Sequence, residues 1–264
     1  MTFLEAHKNR ITTEGLMDFA PSSDKTFSDR CNRLIDLAME AENEKQKSRN
    51  YLGGSRLGVE CLRALGYEWH KVPTDEQPQF KGKTLRRFRM GHLHEDETAD
   101  WIRKAGFDLR THKPDGSQYG FSVGPEGKVI AGHIDGVIVE APDALKEYPF
   151  PLPWLMEHKV MKASKWRECN DKGVKISHPV YWAQCHVYMA YMQLNACMFV
   201  ALNTDTSELL FQMFAFDPQV AQWASDRGVQ VVLSNNPKEL PRITRDETDF
   251  KCKFCNWKKQ CWTP

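Results

Sequence analysis

Long apolar runs are missing from this chain of 264 residues. The longest uninterrupted one, Ala196 to Leu202, falls far short of the ~18 residues that a membrane helix requires, so no membrane partner is expected. An excess of one charge sign is missing too. Lys and Arg number 36 against 35 Asp and Glu, and a net charge of +1 excludes an overall basic field as a sign of a polyanionic partner. A basic surface, if there is one, is local. The opening residues, MTFLEAHKNRITTEG, lack a charged segment followed by an apolar run, so no secretory leader is expected and the cytoplasm is the expected compartment. Internal repeats and low-complexity tracts are absent, which sets aside solenoids and disordered linkers. Cysteines, by contrast, are plentiful at eight. In a long chain without a leader, they point to thiols, metal ligation or iron-sulfur ligation more than to disulfides.

Hydrophobic content of 41% with 27% charged residues is that of an ordinary globular chain. At ~150 residues per domain, one large domain with a small appendage fits best. The charged run RCNRLIDLAMEAENEKQKSRN predicts a peripheral helix whose Leu34, Ile35, Leu37 and Ala38 supply one buried face. Ser55 is placed to cap a helix through Leu57, Cys61 and Leu65 that stops at Gly66 and brings one cysteine into the core. A third helix is expected from about residue 84 to 105, ending before Gly106. Extended runs follow: FDLRT, YGFSV, KVIAGHIDGVIVE and PWLMEHKVM, separated by turn residues and read as consecutive antiparallel strands. Pro179 opens a helix that is apolar almost all round and therefore buried. ACMFVALN and ELLFQMFAF read as two further strands, followed by a helix from about Pro218 to Leu233 and a cysteine-rich tail. This order predicts an α/β (α+β) architecture with a central mixed sheet flanked by helices.

Two strand-borne signals stand out: Asp135 within GHIDG, and Glu157-His158-Lys159 within PWLMEHKVM. Side chains alternate along a strand, so Glu157 and Lys159 share a face and His158 points away. If the strand bearing Asp135 pairs beside them, two carboxylates meet at one spot, which repulsion disfavours unless a cation lies between them. A hard divalent ion, Mg or Mn, is the natural candidate. The apolar flanks, Ile134 and Ile138 on one side and Leu155 and Met156 on the other, argue against ordinary solvated charges, because ionised groups in buried strands are paired or metal-bound.

Asp135 followed by Glu-x-Lys resembles the PD-(D/E)xK nuclease signature, with a Gly-His-x-Asp-Gly version of its first half. The RecB-like branch of that family also carries an upstream Gly-x-x-His-Glu helix and a downstream Gln-x-x-x-Tyr helix. Gly91 to Glu95 matches the first, and Gln184 to Tyr188 the second, in the correct order along the chain. Gln184 and Tyr188 are i and i+4, so they share a helical face. The resemblance covers about residues 50 to 262 and implies a restriction-endonuclease-like core. It implies that His94, Asp135, Glu157 and the backbone carbonyl of His158 ligate Mg or Mn, with Gln184 and Tyr188 turned toward the site. Lys159 would orient the attacking water and stabilise charge on the scissile phosphate, and the metal would supply an acidified water. His94, softer than a carboxylate, would favour Mn somewhat.

The C-terminus carries Cys252, Cys255 and Cys261 in a C-x2-C-x5-C array. A closed site needs a fourth ligand, and Cys61 is the best candidate. From spacing alone, zinc and iron-sulfur are nearly even. The array resembles that of the iron-sulfur nucleases of the RecB-like group, including the AddB nuclease domain and the CRISPR-associated RecB-like nucleases, and this implies a [4Fe-4S] cluster that ties the chain ends together. Cys31, Cys169, Cys185 and Cys197 lack ligand spacing and read as ordinary thiols. The resemblance thus divides the chain into an N-terminal helical extension (1–50), an iron-sulfur lobe (51–83 and 237–264) and a nuclease core (84–236). It implies a DNA exonuclease acting on ends or single strands in recombination, repair or phage-like replication, in the cytoplasm of a bacterial or phage-infected cell, with a recombination or helicase partner.

A zinc deaminase requires H-x-E and a later P-C-x-x-C, but Glu95 follows His94 directly and Lys251 precedes Cys252. The iron-sulfur DNA glycosylases have a further Cys seven residues before the array, where this chain has Arg245. The serious rival is a non-catalytic nucleic-acid-binding protein with a structural zinc-cysteine tail, which would account for the basic runs at 81–89 and 251–259 without chemistry. Trp257 and Trp262 are open to two roles, stacking on unpaired bases or packing around the cluster. An acidic metal site facing phosphates separates the two readings, because a pure binder has no use for it.

Overall fold

A computed structural model describes residues 26–46, 49–75, 80–145 and 147–263. The first half of the expected N-terminal extension, residues 1–25, lies outside the described residues. Among the described residues, no helix is long and apolar enough to cross a membrane.

The sequence builds a mixed α/β fold. Helix α1 (Phe27–Glu44) starts at a capping box between Thr26 and Asp29. Its expected buried face is not formed: Leu34 and Ile35 are each 50% exposed. The helix is held by polar contacts to α3 (Gly82–Lys104) instead, namely an Asp36 to Arg86 ion pair, a Glu42 to Arg89 pair at 3.7 Å, and the Gly82 N–H donating to Glu40 at 2.7 Å.

The helix expected through Leu57 and Leu65 is also broken. The chain makes a short strand β1 (Leu52–Gly53), a single 3-10 turn (Gly54–Arg56), and then helix α2 (Leu62–Trp69). Gly58 lies in the break, where the backbone passes so close to a neighbouring helix that a Cβ would lie 2.7 Å from Ala183. Cys61 becomes the N-cap of α2, half-buried at a surface lobe and not in the core.

The run KVIAGHIDGVIVE is two strands, not one. Strands β3 (Gly120–Val123) and β4 (Ile130–His133) form a three-stranded sheet with β1, in the order β1-β4-β3. Strand β5 (Gly136–Glu140) leaves for a five-stranded sheet, ordered β2-β5-β6-β7-β8, with β2 (Asp108–Arg110) and β6 (Trp154–Met161). The expected consecutive antiparallel run is therefore interrupted at Ile134 and Asp135, where the chain crosses between sheets.

Strand β6 pairs antiparallel with β5 and parallel with β7 (Ala196–Asn203), so the sheet is mixed as expected. A parallel pair needs a crossover. It is supplied by α4 (Ala163–Lys172), the short α5 (Val174–Ser177) and α6 (Pro179–Met192). Every residue of β7 is buried, as a central strand covered on both faces requires. Strand β8 (Leu209–Ala215) closes the sheet edge, and α7 (Pro218–Leu233) packs on α6 and α2.

Two apolar clusters flank the sheet. One joins α6, α7 and α2 to Leu155, Cys197 and Phe199, and the other joins Ala99 and Ile102 of α3 to Trp154, Met156 and Val200. The odd residues of β6 thus face α6 and the even ones face α3, which fixes where Glu157 and Lys159 point. The tail forms α8 (Phe250–Lys253) and α9 (Lys258–Trp262) beside α2.

Candidate active site

The β5–β6 register pairs Gly136 with Met156, so Asp135, one residue before the ladder, falls opposite Glu157. Its Oδ2 accepts a 2.8 Å hydrogen bond from the backbone N–H of His158. Glu157 is fully buried on the face toward α6. Its Oε1 receives two donors, the Lys159 ammonium and the Gln184 side-chain amide, the latter at 2.5 Å. Its Oε2 is buried with no hydrogen-bond partner. An unsatisfied buried carboxylate oxygen is costly, so it marks a place for a proton or a cation.

The electrostatics agree with the geometry. Burial and then the charge of Asp135 raise Glu157 to about 8, against the pull of Lys159. Burial likewise raises Asp135, although Lys159 and the His158 N–H work the other way. For Lys159, burial favours the neutral amine, but Glu157 and Asp135 outweigh it and hold the ammonium firmly protonated. Lys159 cannot then act as a base. It keeps 20% side-chain exposure, also contacts the His158 carbonyl at 3.1 Å, and lies 5.2 Å from the centre of the Tyr181 ring.

Helix α3 brings a third carboxylate that the sequence reading left without a role. Glu95 is raised to about 7 by burial and by the charge of Asp135, and it feels Lys159. The signal for it was available: Glu95, Ala99 and Ile102 are i, i+4 and i+7, so the buried face of α3 runs into Glu95. The His158 side chain points to the α3 side, opposite to Glu157 and Lys159. Burial, the Lys159 charge and His94 together lower His158 to about 4, so its ring is neutral.

The i, i+4 pair on α6 converges as its spacing requires. Gln184 reaches Glu157 directly. Tyr188 is buried nearby, its hydroxyl held in its neutral form by burial and then the Glu157 charge. Its ring is pinned by two glycines, since a Cβ on Gly54 or Gly132 would come within 2.9 or 2.8 Å of Tyr188 Cε1.

Cys61, Cys252, Cys255 and Cys261 line one small cavity at the tail lobe, along with Tyr67, Arg242 and Trp262. All four are free thiols. Burial and then mutual charge push up Cys252 and Cys255. Trp257 stacks on Tyr67 at 5.9 Å and donates its N–H to Val72, and Trp262 lies under the Arg242 guanidinium, so both tryptophans pack the lobe. Among the described residues, no three His, Cys, Asp or Glu side chains are drawn together into a finished metal-binding group. The carboxylates are occupied by Lys159, Gln184 and the His158 N–H, and the thiols share a cavity without closing on a common centre.

No protein-family model matches the chain, and no curated protein does. Among solved structures, similarity is found to SSO0001 at 14% identity and a TM-score of 0.47, spanning 89% of this chain and 96% of that one. It is also found to LHK-Exo in complex with dAMP, at 12% identity and a TM-score of 0.44 over 75% of this chain and 89% of that one. A further structure, the alkaline exonuclease LHK-Exo from Laribacter hongkongensis, aligns at 14% identity and 0.43 over 69% and 88%.

Proposed function

We propose that this chain is a divalent-metal-dependent DNA nuclease that hydrolyses phosphodiester bonds, an exonuclease acting on DNA ends or single strands. The observation that carries this reading is the buried Glu157, with one oxygen unpaired, an ammonium two residues on, and Asp135 across the antiparallel pair. A surface charge cluster would not bury a carboxylate with an orphaned oxygen.

The donor set fits a hard cation. Asp135, Glu157 and the His158 carbonyl would hold Mg or Mn, with His94 contributed by the family pattern and Glu95 by its position beside Asp135. The ion would supply an acidified water and neutralise phosphate oxygens. Lys159, protonated throughout the working range, stabilises charge on the scissile phosphate and orients the attacking water. Gln184 fixes the Glu157 carboxylate, and Tyr188 fills the wall behind it. The second donor set, Cys61 with Cys252, Cys255 and Cys261, suits a thiolate-bound centre, which we assign as a structural [4Fe-4S] cluster in preference to zinc.

End-labelled single and double strands incubated with Mg or Mn test the first assignment. Shortened products from the wild type, and none from Asp135→Ala or Lys159→Ala with unchanged circular dichroism, are expected. Undiminished cleavage by either variant rejects the mechanism. Iron and zinc analysis of anaerobically purified protein tests the second, and stoichiometric zinc without iron rejects the cluster while leaving the nuclease standing.

A further inference from the structure

Away from the carboxylates, the tail lobe and α7 present aromatic rings that the fold does not use. Phe250 is 74% exposed, Phe254 73% and Trp223 48%, whereas phenylalanine is ordinarily among the most buried residues. The two phenylalanines support each other edge to face at 5.6 Å. A cation accompanies the exposed rings: the Lys253 ammonium lies 5.7 Å from the centre of Phe254, and the Arg227 guanidinium 4.8 Å from that of Trp223. A cleft of about 650 Å³ opens at Trp223 and reaches Lys251, next to Phe250; Trp182, Ile243 and Lys175 also line it, and its two acids are engaged, Glu60 by Lys251 and Asp217 by the helix N-terminus that it caps. Lys251 lines both this cleft and the cysteine cavity, and its ion pair to Glu60 at 3.1 Å ties the lobe to the core there. From Phe250 to Thr263, the chain carries four lysines and no acid.

We propose that this face, from Phe250 and Phe254 across the cleft to Trp223, is a binding platform for single-stranded nucleic acid, separate from the cleavage site. Alternating rings and cations reproduce the alternation of bases and phosphates along an unpaired strand. A duplex keeps its base faces stacked inside, so exposed rings gain nothing from it. A protein partner would be matched by a continuous apolar surface, not by rings interleaved with cations, as Phe254 is with Lys253 and Trp223 with Arg227. The cleft also lies at a useful distance. Trp182 and Ala183 line it while Gln184, on the same helix α6, reaches Glu157, so the platform and the carboxylates are separated by about one helix diameter, ~10 Å. A strand held here would continue into the site within a few nucleotides. This inference deepens the nuclease reading, and rests on it only in taking the bound strand to be substrate.

The full-length protein, without added divalent ions, is titrated against a fluorescent oligothymidine of about 16 nucleotides, read by anisotropy. Phe250→Ala with Phe254→Ala should weaken binding about tenfold or more, and Trp223→Ala similarly, by the loss of base stacking. Lys253→Glu, at an exposed position, should weaken binding and lower the salt slope by about one, with the circular dichroism spectrum unchanged. Hydrolysis of a small chromogenic phosphodiester by Mn-loaded protein should be unchanged in all of them. Wild-type affinity in these variants overturns the platform, as does failure of the wild type to bind the oligonucleotide. An equal loss toward blunt duplex overturns it, as does a wild-type dimer in sedimentation that the variants dissolve. If no protein hydrolyses the small diester while the variants still lose the oligonucleotide, the nuclease reading fails and the platform stands.

Discussion

Gln184 donates its side-chain amide to the same oxygen of Glu157 that receives the Lys159 ammonium. One carboxylate oxygen is thus doubly held, and the other is left free to point into the site. Gln184 is a positioning residue, because its effect on a phosphodiester passes through Glu157. Gln184→Ala should cost about 1–2 kcal/mol in chemical denaturation, because it removes a buried hydrogen bond and leaves Glu157 one donor short. It should also move the midpoint for metal binding to higher pH, because the ionised Glu157 loses a donor. A purely structural role would change the denaturation midpoint without shifting the pH midpoint.

The raised carboxylates give stability a definite pH dependence. Without metal, Glu157 at about 8 and Glu95 at about 7 keep protons that the unfolded chain releases near 4.5. Below about pH 6.5 the buried rings of His158 and His186, both lowered to about 4, offset this, because the unfolded chain protonates them there; from about 6.5 to 8 the folded state binds more protons than the unfolded one, so stability falls as pH rises through that window. Lys159, raised above its ordinary value, is charged in both states across this window and adds no slope. The metal-free protein should therefore melt at a lower temperature at about pH 8.5 than at about pH 6, and Mn should raise the melting temperature more at the higher pH as it replaces the protons. Calorimetry in two buffers of different ionisation enthalpy should also detect proton release on Mn binding. A flat profile with no proton release would mean that Glu157 and Glu95 are already ionised.

Gly132→Ala places a methyl group 2.8 Å from Tyr188 Cε1 and 3.0 Å from Phe121 Cε1, in the wall behind Glu157. Overpacking of this kind costs about 1–3 kcal/mol, and the displaced tyrosine should lower cleavage as well. Gly91→Ala is the control on α3. Nothing lies within 4 Å of the added methyl, so replacing a mid-helix glycine should stabilise by up to about 1 kcal/mol. Thermal melts of the two variants should move in opposite directions.

Strand alternation and register made Asp135, Glu157 and Lys159 legible in the sequence, because a period of two fixes faces without further information. The spacing of Gln184 and Tyr188 was legible for the same reason, at a period of 3.6. Other features depend on distant parts of the chain. The close approach of Gly58 to Ala183 involves a residue far along the chain, and the split at Ile134 follows from the two sheets to which β4 and β5 belong. A His-Glu pair does not by itself say whether its glutamate also reaches the sheet, so the place of Glu95 beside Asp135 was not legible. Only the packing of Ala99 and Ile102 decides it.

Helix α1 tests how polar contacts alone dock an element. It buries no residue of its own, carries Asp36, Glu40 and Glu42 toward the basic first turns of α3, and meets Gly82 so closely that a Cβ there would lie 2.2 Å from the backbone of Asp36. Exposed ion pairs contribute about 0–1 kcal/mol each, so little energy opposes undocking. Gly82→Ala should therefore release α1 from α3 without unfolding the sheet. Proteolysis within residues 27–44 should become about tenfold faster or more, while the far-ultraviolet spectrum and the main melting transition stay close to wild type. Raising the salt concentration should have the same effect on the wild type, because screening weakens the Arg86 and Arg89 pairs. If Gly82→Ala leaves α1 as protected as before, the close approach of Asp36 to Gly82 is not what seats the helix.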